Sequence, residues 1–259
     1  GRSGIVVSGM GLGCWAIGGP FWRGDVPAGW GEVDDDESIQ AIRRAFDLGV
    51  TFFDTADVYG TGHSERILGL AVADFRDEVV IATKFGNVFN AETRQITGSS
   101  ADPGYIRRAC EASLQRLGTD YIDLYQLHSG GLSMDDAAPV RDTLQELVAE
   151  GKIRAYGWST DDPERARFFA EGEHCTAVQH QMNVLADAPD IVDLCEDRNL
   201  ASINRGPLAM GLLTGKYDAD SKLPDNDVRG ENAPSWMQYF KDGRPNPEFL
   251  EKMEAIREI

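Results

Sequence analysis

The feature that most constrains the fold is a regular alternation of short apolar runs with longer amphipathic segments. Runs typical of β-strands occupy 10–13, 51–53, 79–83, 121–127, 153–158, 176–179 and 200–204. Segments with apolar residues at helical spacing follow them at 34–48, 64–75, 103–117, 136–149, 162–170, 189–198 and 247–258. Short strands separated by helices are typical of a parallel sheet that is covered on both faces. The pattern therefore predicts strand–helix units joined by right-handed crossovers.

The segment 103–117 shows the helical pattern most clearly. Its apolar face would carry Ile106, Ala109, Cys110, Ser113, Leu114 and Leu117. Asp102 stands where a helix N-cap prefers a short acceptor side chain, and Pro103 stands at the first helical position, which favours proline. The sequence therefore predicts a helix that begins at Pro103.

The number of units indicates a single (β/α)8 TIM barrel over residues 1–259. Such a barrel has eight βα units in about 250 residues. Only seven units are found here, and the last helix follows a long loop, 213–246, of the kind that is usually functional or mobile. We expect a fragment that is truncated at both ends and lacks the eighth βα unit, because an open parallel barrel would expose two strand edges.

Charge and composition limit the kinds of molecule that the protein is expected to bind. The formal net charge of −18 repels the phosphates of nucleic acids and the anionic surfaces of membranes. No apolar run approaches the roughly 18 residues of a membrane-spanning helix, and the N-terminus lacks the pattern of a signal peptide. Four cysteines without a C-x-x-C pair favour reduced thiols and a cytoplasmic protein. Nucleic-acid and membrane partners are therefore disfavoured, and the oligomeric state is not predicted.

Polar residues end several of the predicted strands. Asp54 follows the second run, Lys84 the third, His128 the fourth and Ser159 the fifth. Tyr59 lies one short loop beyond Asp54. Because the active site of such a barrel lies at the carboxyl ends of its strands, these side chains should meet in one pocket.

The residue types in this set point to proton transfer. A free tyrosine has a pKa of about 10 and is a poor proton donor at neutral pH. A neighbouring lysine ammonium lowers that pKa, and a carboxylate beside the lysine keeps it charged and oriented. An imidazole can hydrogen-bond a carbonyl oxygen and polarise it. The set therefore predicts a general acid facing a carbonyl group, with the electrons supplied from outside these side chains.

Each of these residues also has a structural explanation when it is taken alone. Asp54 could cap a turn, Tyr59 could pack in a loop, and His128 could be a hydrogen-bonded structural histidine. Two further stretches are interpreted as structural: the glycine-bearing turn GTGHSE at 60–65 and the acidic run DDDE at 34–37. The joint placement of the first set at successive strand ends is what favours a functional explanation.

On these residues the sequence resembles the aldo-keto reductase family. The stretch DTADVYGTGHSERILG at 54–69 is similar to a signature of that family. Similar segments follow in the same order: IATKFG at 81–86, YIDLYQLH at 121–128, GKIRAYGWS at 151–159 and GPLAMGLLTGKY at 206–217. The resemblance covers essentially the whole chain. It implies a TIM barrel with an N-terminal β-hairpin, here represented by GRSGIVVS, that reduces aldehydes or ketones with NADPH and has no Rossmann domain.

The resemblance also implies a role for each member of the set. Tyr59 would be the proton donor, Lys84 and Asp54 would support it, and His128 would orient the carbonyl. The implied cofactor contacts are Trp15, Asp54, Ser159, Thr160, Gln179, Arg205, Leu208, Gly211, Lys216 and Arg229. The lysine and the arginine in the long loop are suited to the charge of a pyrophosphate.

The sequence departs from the family pattern in three places. Arg205 stands where many members have an aromatic residue on the nicotinamide, although a guanidinium plane can also stack. His128 is followed by SGGLS, so the substrate side is unfamiliar, and Trp22 and Trp30 of the first loop, 16–33, could line it or pack on the surface. The family's last strand and helix are lacking, so NADPH is preferred to NADH on the resemblance alone.

The leading hypothesis is an NADPH-dependent reductase of small or medium carbonyl compounds, with NADH as the alternative cofactor. One rival is a cofactor-sensing or partner-binding subunit of the same fold with little turnover. The presence of all four catalytic residues favours an enzyme. A second rival is a metal-dependent lyase or hydrolase that uses Asp54 and His128. Lys84 argues against it, because an ammonium competes with a metal cation for the carboxylate. The sequences of the loops do not identify the physiological substrate.

Overall fold

Every run that was predicted as a strand forms a strand of one parallel sheet. The computed structural model describes residues 1–257. The strands are β1 (Gly11–Gly13), β2 (Phe52–Asp54), β3 (Val80–Phe85), β4 (Ile122–Leu127), β5 (Ile153–Ser159), β6 (Cys175–Gln181) and β7 (Ala201–Arg205). They lie side by side in the order of the chain, and every neighbouring pair is parallel. This arrangement is the one that repeated right-handed crossovers produce.

A helix follows each strand, as the apolar spacing predicts. The helices are α1 (Asp35–Asp47), α2 (His63–Val72), α3 (Pro103–Leu117), α4 (Met134–Ala149), α5 (Pro163–Ala170), α6 (Pro189–Asp197) and α7 (Pro247–Arg257). The predicted helix 64–75 is shorter than expected, because the backbone leaves the α conformation and continues as a 3-10 segment over Ala73–Glu78. The last residue of the predicted helix 247–258 lies outside the described residues.

The alternation of side chains along the strands divides the core into two parts. On the inner face of the sheet, apolar side chains such as Phe52, Leu124 and Ala177 form one cluster. The opposite face, with Phe53 and Trp158, packs against the helices in a larger cluster. Successive residues of a strand point to opposite faces of the sheet, so the same strands supply side chains to both clusters. The sheet is therefore covered on both sides, as the apolar runs indicated.

The sheet is curled, and its inner face forms the inside of a barrel wall. The Nε2 atom of Gln179 on β6 donates to Oδ1 of Asp54 on β2 at 2.8 Å, although three strands separate these two in the sheet. A flat sheet could not bring them together, since neighbouring strands lie about 4.8 Å apart. Among the described residues, β1 and β7 are not paired and no eighth parallel strand lies between them. The absence of an eighth unit from the protein stays a prediction.

The predicted N-terminal β-hairpin is not present. Residues 1–8 contain no strand; instead, their polar groups pair with loops around the amino ends of the barrel strands. The Arg2 side chain donates to the carbonyl oxygens of Ala170, Gly172 and Cys175 at 2.7–2.8 Å. The backbone N–H of Ser8 donates to Thr51 Oγ1 at 2.9 Å. These bonds satisfy some of the segment's polar groups without a partner strand within the segment.

Three loops contain strands that the sequence did not reveal. The residues Asn87–Asn90 and Gln95–Ser99 form an antiparallel hairpin, which joins Trp22–Arg23 and Val26–Pro27 of the first loop in a four-stranded sheet. In the long loop, Phe240–Lys241 pairs with Arg244–Pro245. All three loops leave the carboxyl ends of the barrel strands, so they surround the mouth of the barrel.

The cysteines agree with one further expectation. Cys14, Cys110, Cys175 and Cys195 are buried and are free thiols, as their spacing indicated. No helix within residues 1–257 combines the length and the apolar character that crossing a membrane requires.

Candidate active site

A layer of polar side chains lies on the inner face, directly above the apolar cluster. The period of two that points Phe52 and Leu124 inward also points Asp54 and Gln126 inward, one step nearer the mouth. Asp54 is the centre of the layer. Its Oδ1 accepts from Gln126 Nε2 at 3.3 Å and from Gln179 Nε2 at 2.8 Å, and its Oδ2 accepts from a lysine. The carboxylate at the end of β2 therefore ties three other strands together.

Lys84 is the fully buried cation of this layer. Its Nζ donates to Asp54 Oδ2 at 2.6 Å, to the backbone oxygen of Thr55 at 2.8 Å and to the Tyr59 hydroxyl at 3.4 Å. Burial by itself lowers the pKa of Lys84, but the charge and hydrogen bond of Asp54, with Tyr59, raise it above its usual value. Lys84 is therefore a charged ammonium, and two of its donors fix its direction toward the phenol.

Tyr59 reaches this lysine because the loop after β2 turns back sharply. The N–H of Asp57 donates to the Lys84 carbonyl at 3.1 Å, which holds the loop against β3. Gly60, with φ of 58°, then passes so close to Gly18 that a Cβ atom would lie 1.9 Å from the Gly18 oxygen. Only glycine fits this approach. The turn GTGHSE is structural as predicted: Ser64 Oγ donates to the Cys14 carbonyl at 2.7 Å.

The prediction that the pKa of Tyr59 lies below its usual value is wrong, because the sum of all effects raises that pKa. Burial raises the pKa of this phenol, whereas the charge of Lys84 and its hydrogen bond lower it. The net pKa lies above the usual value of 10.0, because the removal of water outweighs the nearby ammonium. Tyr59 therefore holds its proton at neutral pH, with Lys84 placed to stabilise the phenolate that forms once the proton leaves.

His128 follows β4 and faces Tyr59. Its backbone N–H donates to the Phe85 carbonyl at 2.7 Å. Its ring lies edge-on to that of Tyr59 with centroids 5.9 Å apart. Burial, Lys84 and Arg205 lower the pKa of His128 to about 3. The ring is therefore neutral. Its Nδ1 is buried without a hydrogen-bond partner among the described residues, and an unpaired lone pair costs less than an unpaired N–H. With its proton on Nε2, the neutral ring can donate a hydrogen bond from that atom.

Aromatic side chains from two loops complete the wall near Tyr59. The ring of Trp15 stacks on Tyr59 with centroids 5.7 Å apart and an interplanar angle of 19°. Trp30 meets Trp15 edge-on at 5.5 Å, and Trp236 of the long loop lies 6.2 Å from it. Trp236 is 58% exposed beside this group. Tyr59 is thus next to an apolar, aromatic surface, whereas Trp22 lies in the outer four-stranded sheet.

The residues predicted to hold a nicotinamide lie at the ends of β5 and β6. Ser159 Oγ donates to Gln179 Oε1 at 3.3 Å, and the two residues are register partners. Thr160 is buried, and its Oγ1 accepts from the N–H of Asp162 at 3.1 Å in the turn before α5. A hydroxyl beside an amide can both donate and accept, which is what a carboxamide requires. Ser159 and Gln179 therefore fit that group.

Arg205 and the loop after β7 lie farther out at the mouth. Arg205 forms an ion pair with Asp161 and its side chain is 37% exposed. Leu208 is 54% exposed, Gly211 has a φ of 90°, and Lys216 lies over the Tyr217 ring with its Nζ 4.9 Å from the centroid. An accessible guanidinium, an exposed apolar side chain and an exposed ammonium fit a ligand that carries a flat ring and phosphates.

Arg229 is placed differently from the other predicted cofactor contacts. Its guanidinium is buried, and it pairs with Asp227 at 2.6 Å. It also donates to the Met210 carbonyl at 3.0 Å and to the Tyr217 hydroxyl at 2.8 Å. These contacts are all within the protein, and the adjacent carboxylate balances its charge. These contacts fix the guanidinium within the long loop, and the direct role of Arg229 in binding a pyrophosphate stays a prediction.

Sequence reasoning missed three groups of the site. Gln126 and the Thr55 carbonyl bind the central carboxylate and the lysine, and Trp236 lies beside Trp15. The signal for Gln126 was its polar side chain at an inward position of an apolar strand, two residues after Leu124. A backbone carbonyl and a loop tryptophan leave no comparable signal, because their positions depend on turns and loop packing.

Several known proteins are similar to this chain in sequence and in fold. The sequence model of the aldo/keto reductase family matches residues 9–259. The aldo-keto reductase YhdN of Bacillus subtilis is 34% identical over 262 residues, covering 98% of this chain and 75% of that protein. The NADH-specific methylglyoxal reductase of Escherichia coli is 36% identical over 234 residues, covering 85% and 69%. An aldo/keto reductase of Klebsiella pneumoniae in complex with NADP and acetate superimposes with a TM-score of 0.61 at 31% identity, covering 79% and 66%. The chain therefore belongs to the aldo/keto reductase family of oxidoreductases.

Proposed function

We propose that this protein reduces aldehydes or ketones to alcohols with a nicotinamide cofactor, and that Tyr59 donates the proton. One observation carries the proposal: the Tyr59 hydroxyl lies 3.4 Å from the ammonium of Lys84, which is itself paired with Asp54 at 2.6 Å. A phenol that holds its proton, beside a fixed positive charge, is suited to give that proton to a carbonyl oxygen as negative charge develops there.

Each side chain has a separate role in the proposed reaction. Tyr59 transfers its proton to the carbonyl oxygen, and Lys84 stabilises the resulting phenolate. Asp54 keeps Lys84 charged and directed, with Gln126 and Gln179 holding the carboxylate from the other side. Neutral His128 donates Nε2–H to the same oxygen, which orients and polarises the carbonyl. The bound reduced cofactor would supply the hydride to the carbonyl carbon, which none of these side chains can provide.

The cofactor would be held at the mouth of the barrel. Ser159 and Gln179 would meet the carboxamide, and Arg205 would stack on or pair beside the flat ring. The rest of the cofactor would contact Leu208, Gly211 and Lys216, with the Lys216 ammonium facing the phosphates. NADPH is proposed on the family resemblance and NADH is the alternative: one relative is an NADH-specific enzyme, and one solved neighbour contains NADP. Titration with each cofactor, followed by tryptophan fluorescence, distinguishes the two.

The central test is Tyr59→Phe. We expect NADPH to quench tryptophan fluorescence in the parent, because Trp15 and Trp236 lie at the mouth, and a panel of aldehydes then to oxidise the cofactor. Tyr59→Phe should lower kcat by about 10²–10⁴-fold, the usual contribution of a general acid, with the quench retained. Tyr121→Phe is the matched control, since its hydroxyl bonds Asp77 at 3.2 Å far from the layer.

Other outcomes would contradict this proposal in distinct ways. Full activity of Tyr59→Phe means that the proton comes from another group. Tight cofactor binding by the parent without turnover of any carbonyl supports the sensing subunit instead. Turnover that requires an added divalent metal supports the lyase or hydrolase, although Lys84 already occupies one oxygen of the Asp54 carboxylate.

A further inference from the structure

We propose that Tyr239 is a positioning residue, which docks the long loop on the end of β6 and so holds the predicted cofactor contacts of that loop at the mouth. The inference rests on the proposed function, because it concerns residues that would bind the cofactor. Two of them, Lys216 and Arg229, lie against Tyr217: the Lys216 Nζ is 4.9 Å from its ring centroid, and Arg229 donates to its hydroxyl at 2.8 Å. Their positions therefore depend on the position of the loop.

The long loop shares a hydrophobic core with the segment before it and with α7. The buried members of this core are Ala209, Leu212, Leu223, Val228, Met237, Tyr239, Phe240, Phe249 and Met253. None of them belongs to a barrel strand, and the clusters on the two faces of the sheet consist of other residues. Because this part of the chain packs on itself, its position on the barrel is set by the contacts that join the two.

Tyr239 makes the contact on the β6 side. Its side chain is buried, and its hydroxyl accepts from Gln181 Nε2 at 2.8 Å and from Asn183 Nδ2 at 3.0 Å. The same Asn183 amide donates to the Gly206 carbonyl at 3.0 Å, directly after β7. A side-chain amide has two N–H groups, so Asn183 can bind the start of the connection after β7 and a residue near its end at the same time.

A tight hairpin fixes the direction of the Tyr239 side chain within the loop. The hairpin 240–245 turns at Asp242 and Gly243, whose φ angles of 52° and 70° are both positive, as a type I′ turn requires. The Phe249 ring of α7 meets the Tyr239 ring with centroids 5.0 Å apart. The loop therefore holds the ring of Tyr239, and the hydroxyl is the group that binds the barrel.

On the other side of the mouth, the long loop is joined to the first loop. The N–H of Val228 donates to the Gly29 carbonyl at 2.7 Å. Between the two attachments, Trp236 lies 6.2 Å from Trp15. The long loop therefore spans the mouth from the first loop to β6.

The attachment on β6 is close to the residue proposed for the carboxamide. Gln181 lies two positions after Gln179 on this strand, so both side chains point to the inner face. In the proposed function, Gln179 meets the carboxamide and Lys216 faces the phosphates. A bound cofactor would then lie against the loop that Tyr239 docks, and weaker docking should let the cofactor leave faster.

The first measurement uses the full chain without a cofactor. Tyr239→Phe keeps the ring but removes the acceptor of both amides. Hydrogen exchange of the backbone amides in 216–246, followed by mass spectrometry, should become about 10-fold faster, because two hydrogen bonds of ordinary strength no longer oppose opening of the loop. Exchange in α3 and β4 should not change. An unchanged exchange rate of the loop would overturn the proposal.

The second measurement follows the cofactor. Release of NADPH, displaced by excess NADP and followed by fluorescence, should be about 10-fold faster in Tyr239→Phe. The KM for the carbonyl substrate should stay near that of the parent, and kcat should not fall, because Asp54, Tyr59, Lys84 and His128 are unchanged. If kcat falls while the rate of NADPH release is unchanged, Tyr239 acts on the reaction instead of the loop and the proposal fails.

Gln181→Met tests the pairing between the loop and β6. It removes one of the two donors to the Tyr239 hydroxyl and keeps a side chain of similar length. Combined with Tyr239→Phe, it should speed the exchange of the loop no more than Tyr239→Phe does alone, because Gln181 then has no acceptor to lose. If the effects of the two substitutions add, the residues act separately and the docking contact is refuted.

Tyr121→Phe is the matched control for the loss of a tyrosine hydroxyl. Its hydroxyl bonds Asp77 at 3.2 Å, and Tyr121 directly precedes β4, at the end of the strands opposite the mouth. This variant should keep the exchange of the loop and the rate of NADPH release. If it changes them as much as Tyr239→Phe does, general destabilisation explains both results and the proposal fails. If the parent binds no nicotinamide cofactor, the proposed function fails separately, and exchange in the unloaded chain still tests the Tyr239 contact.

Discussion

At the scale of single residues, burial sets the protonation states of the site. Burial raises the pKa of Tyr59 above 10.0, and the opposing effect of Lys84 does not reverse that shift. Burial, with Lys84 and Arg205, lowers the pKa of His128 to about 3. At neutral pH the phenol keeps its proton and the imidazole has no charge. These are the states in which one group can donate a proton and the other a hydrogen bond to a carbonyl oxygen.

These states predict the pH dependence of both directions of the reaction. In the proposed mechanism reduction needs protonated Tyr59, so its kcat should not fall through ionisation of this group at any pH below 10.0. Oxidation of the alcohol needs the phenolate, so its rate should rise with pH throughout that range. Neutral His128 should produce no inflection near pH 6.5. The measurement is kcat against pH in both directions; an inflection near 6.5 that disappears in His128→Gln would contradict the assignment.

At the scale of elements, the ends of the helices are stabilised by local side chains. The side chains of Asp34, Asp102, Ser133 and Asp162 accept hydrogen bonds from the first turns of α1, α3, α4 and α5. These bonds satisfy N–H groups that a helix leaves without partners. The start of α3 at Pro103 was predicted correctly because a cap is encoded within three residues and needs no distant contact.

The cap of α3 gives a prediction of stability. Asp102 Oδ1 accepts from the Tyr105 N–H at 2.9 Å. Asp102→Ala should therefore lower the free energy of unfolding by about 1 kcal/mol, as is typical for the loss of an N-cap. Asp102→Asn keeps an acceptor and should lose much less. Urea denaturation of the two variants measures the difference, and equal losses would show that the capping bond is not the stabilising contact.

At the scale of the whole molecule, the interface between the sheet and its helices contains buried charge. Glu65 is fully buried and binds Arg116 Nε and Thr83 Oγ1, each at 2.6 Å. Asp57 lies in the same region, and its Oδ1 has no hydrogen-bond partner among residues 1–257. Burial and the nearby Glu65 raise the pKa of Asp57 well above 3.8, although Arg116 lowers it. A single carboxyl group therefore affects the stability of the entire fold.

Replacing Asp57 should change stability in a pH-dependent manner. Because its pKa is higher in the folded state, the folded protein binds this proton more tightly than the unfolded chain does. Its cost is therefore absent below the unfolded pKa of 3.8 and grows as the pH rises above it. Asp57→Asn should raise the melting temperature by a few degrees at neutral pH and by less near pH 3.8. Exposed Asp25→Asn is the control, and an equal gain at both pH values would contradict the argument.

Local patterns were sufficient for the barrel strands, for their helices and for the strand-end residues of the candidate site. Strand and helix periods predicted all seven parallel strands and the helices after them, because both periods are properties of neighbouring residues. Asp54, Lys84 and His128 were found because a strand end in a parallel barrel always opens on the same side. The pairing of the hairpin over 87–99 with Trp22 was missed, since these two segments are far apart in the chain.

What the sequence by itself determined is the parallel α/β architecture and the gathering of a phenol, an ammonium, a carboxylate and an imidazole at one mouth. Only the tertiary structure decided the direction of the Tyr59 pKa shift, the inclusion of Gln126 and the partner of Arg229. It also replaced the predicted N-terminal hairpin by contacts of Arg2 with the barrel. The physical reason is that desolvation and pairing are sums over groups from distant segments, which no local spacing records.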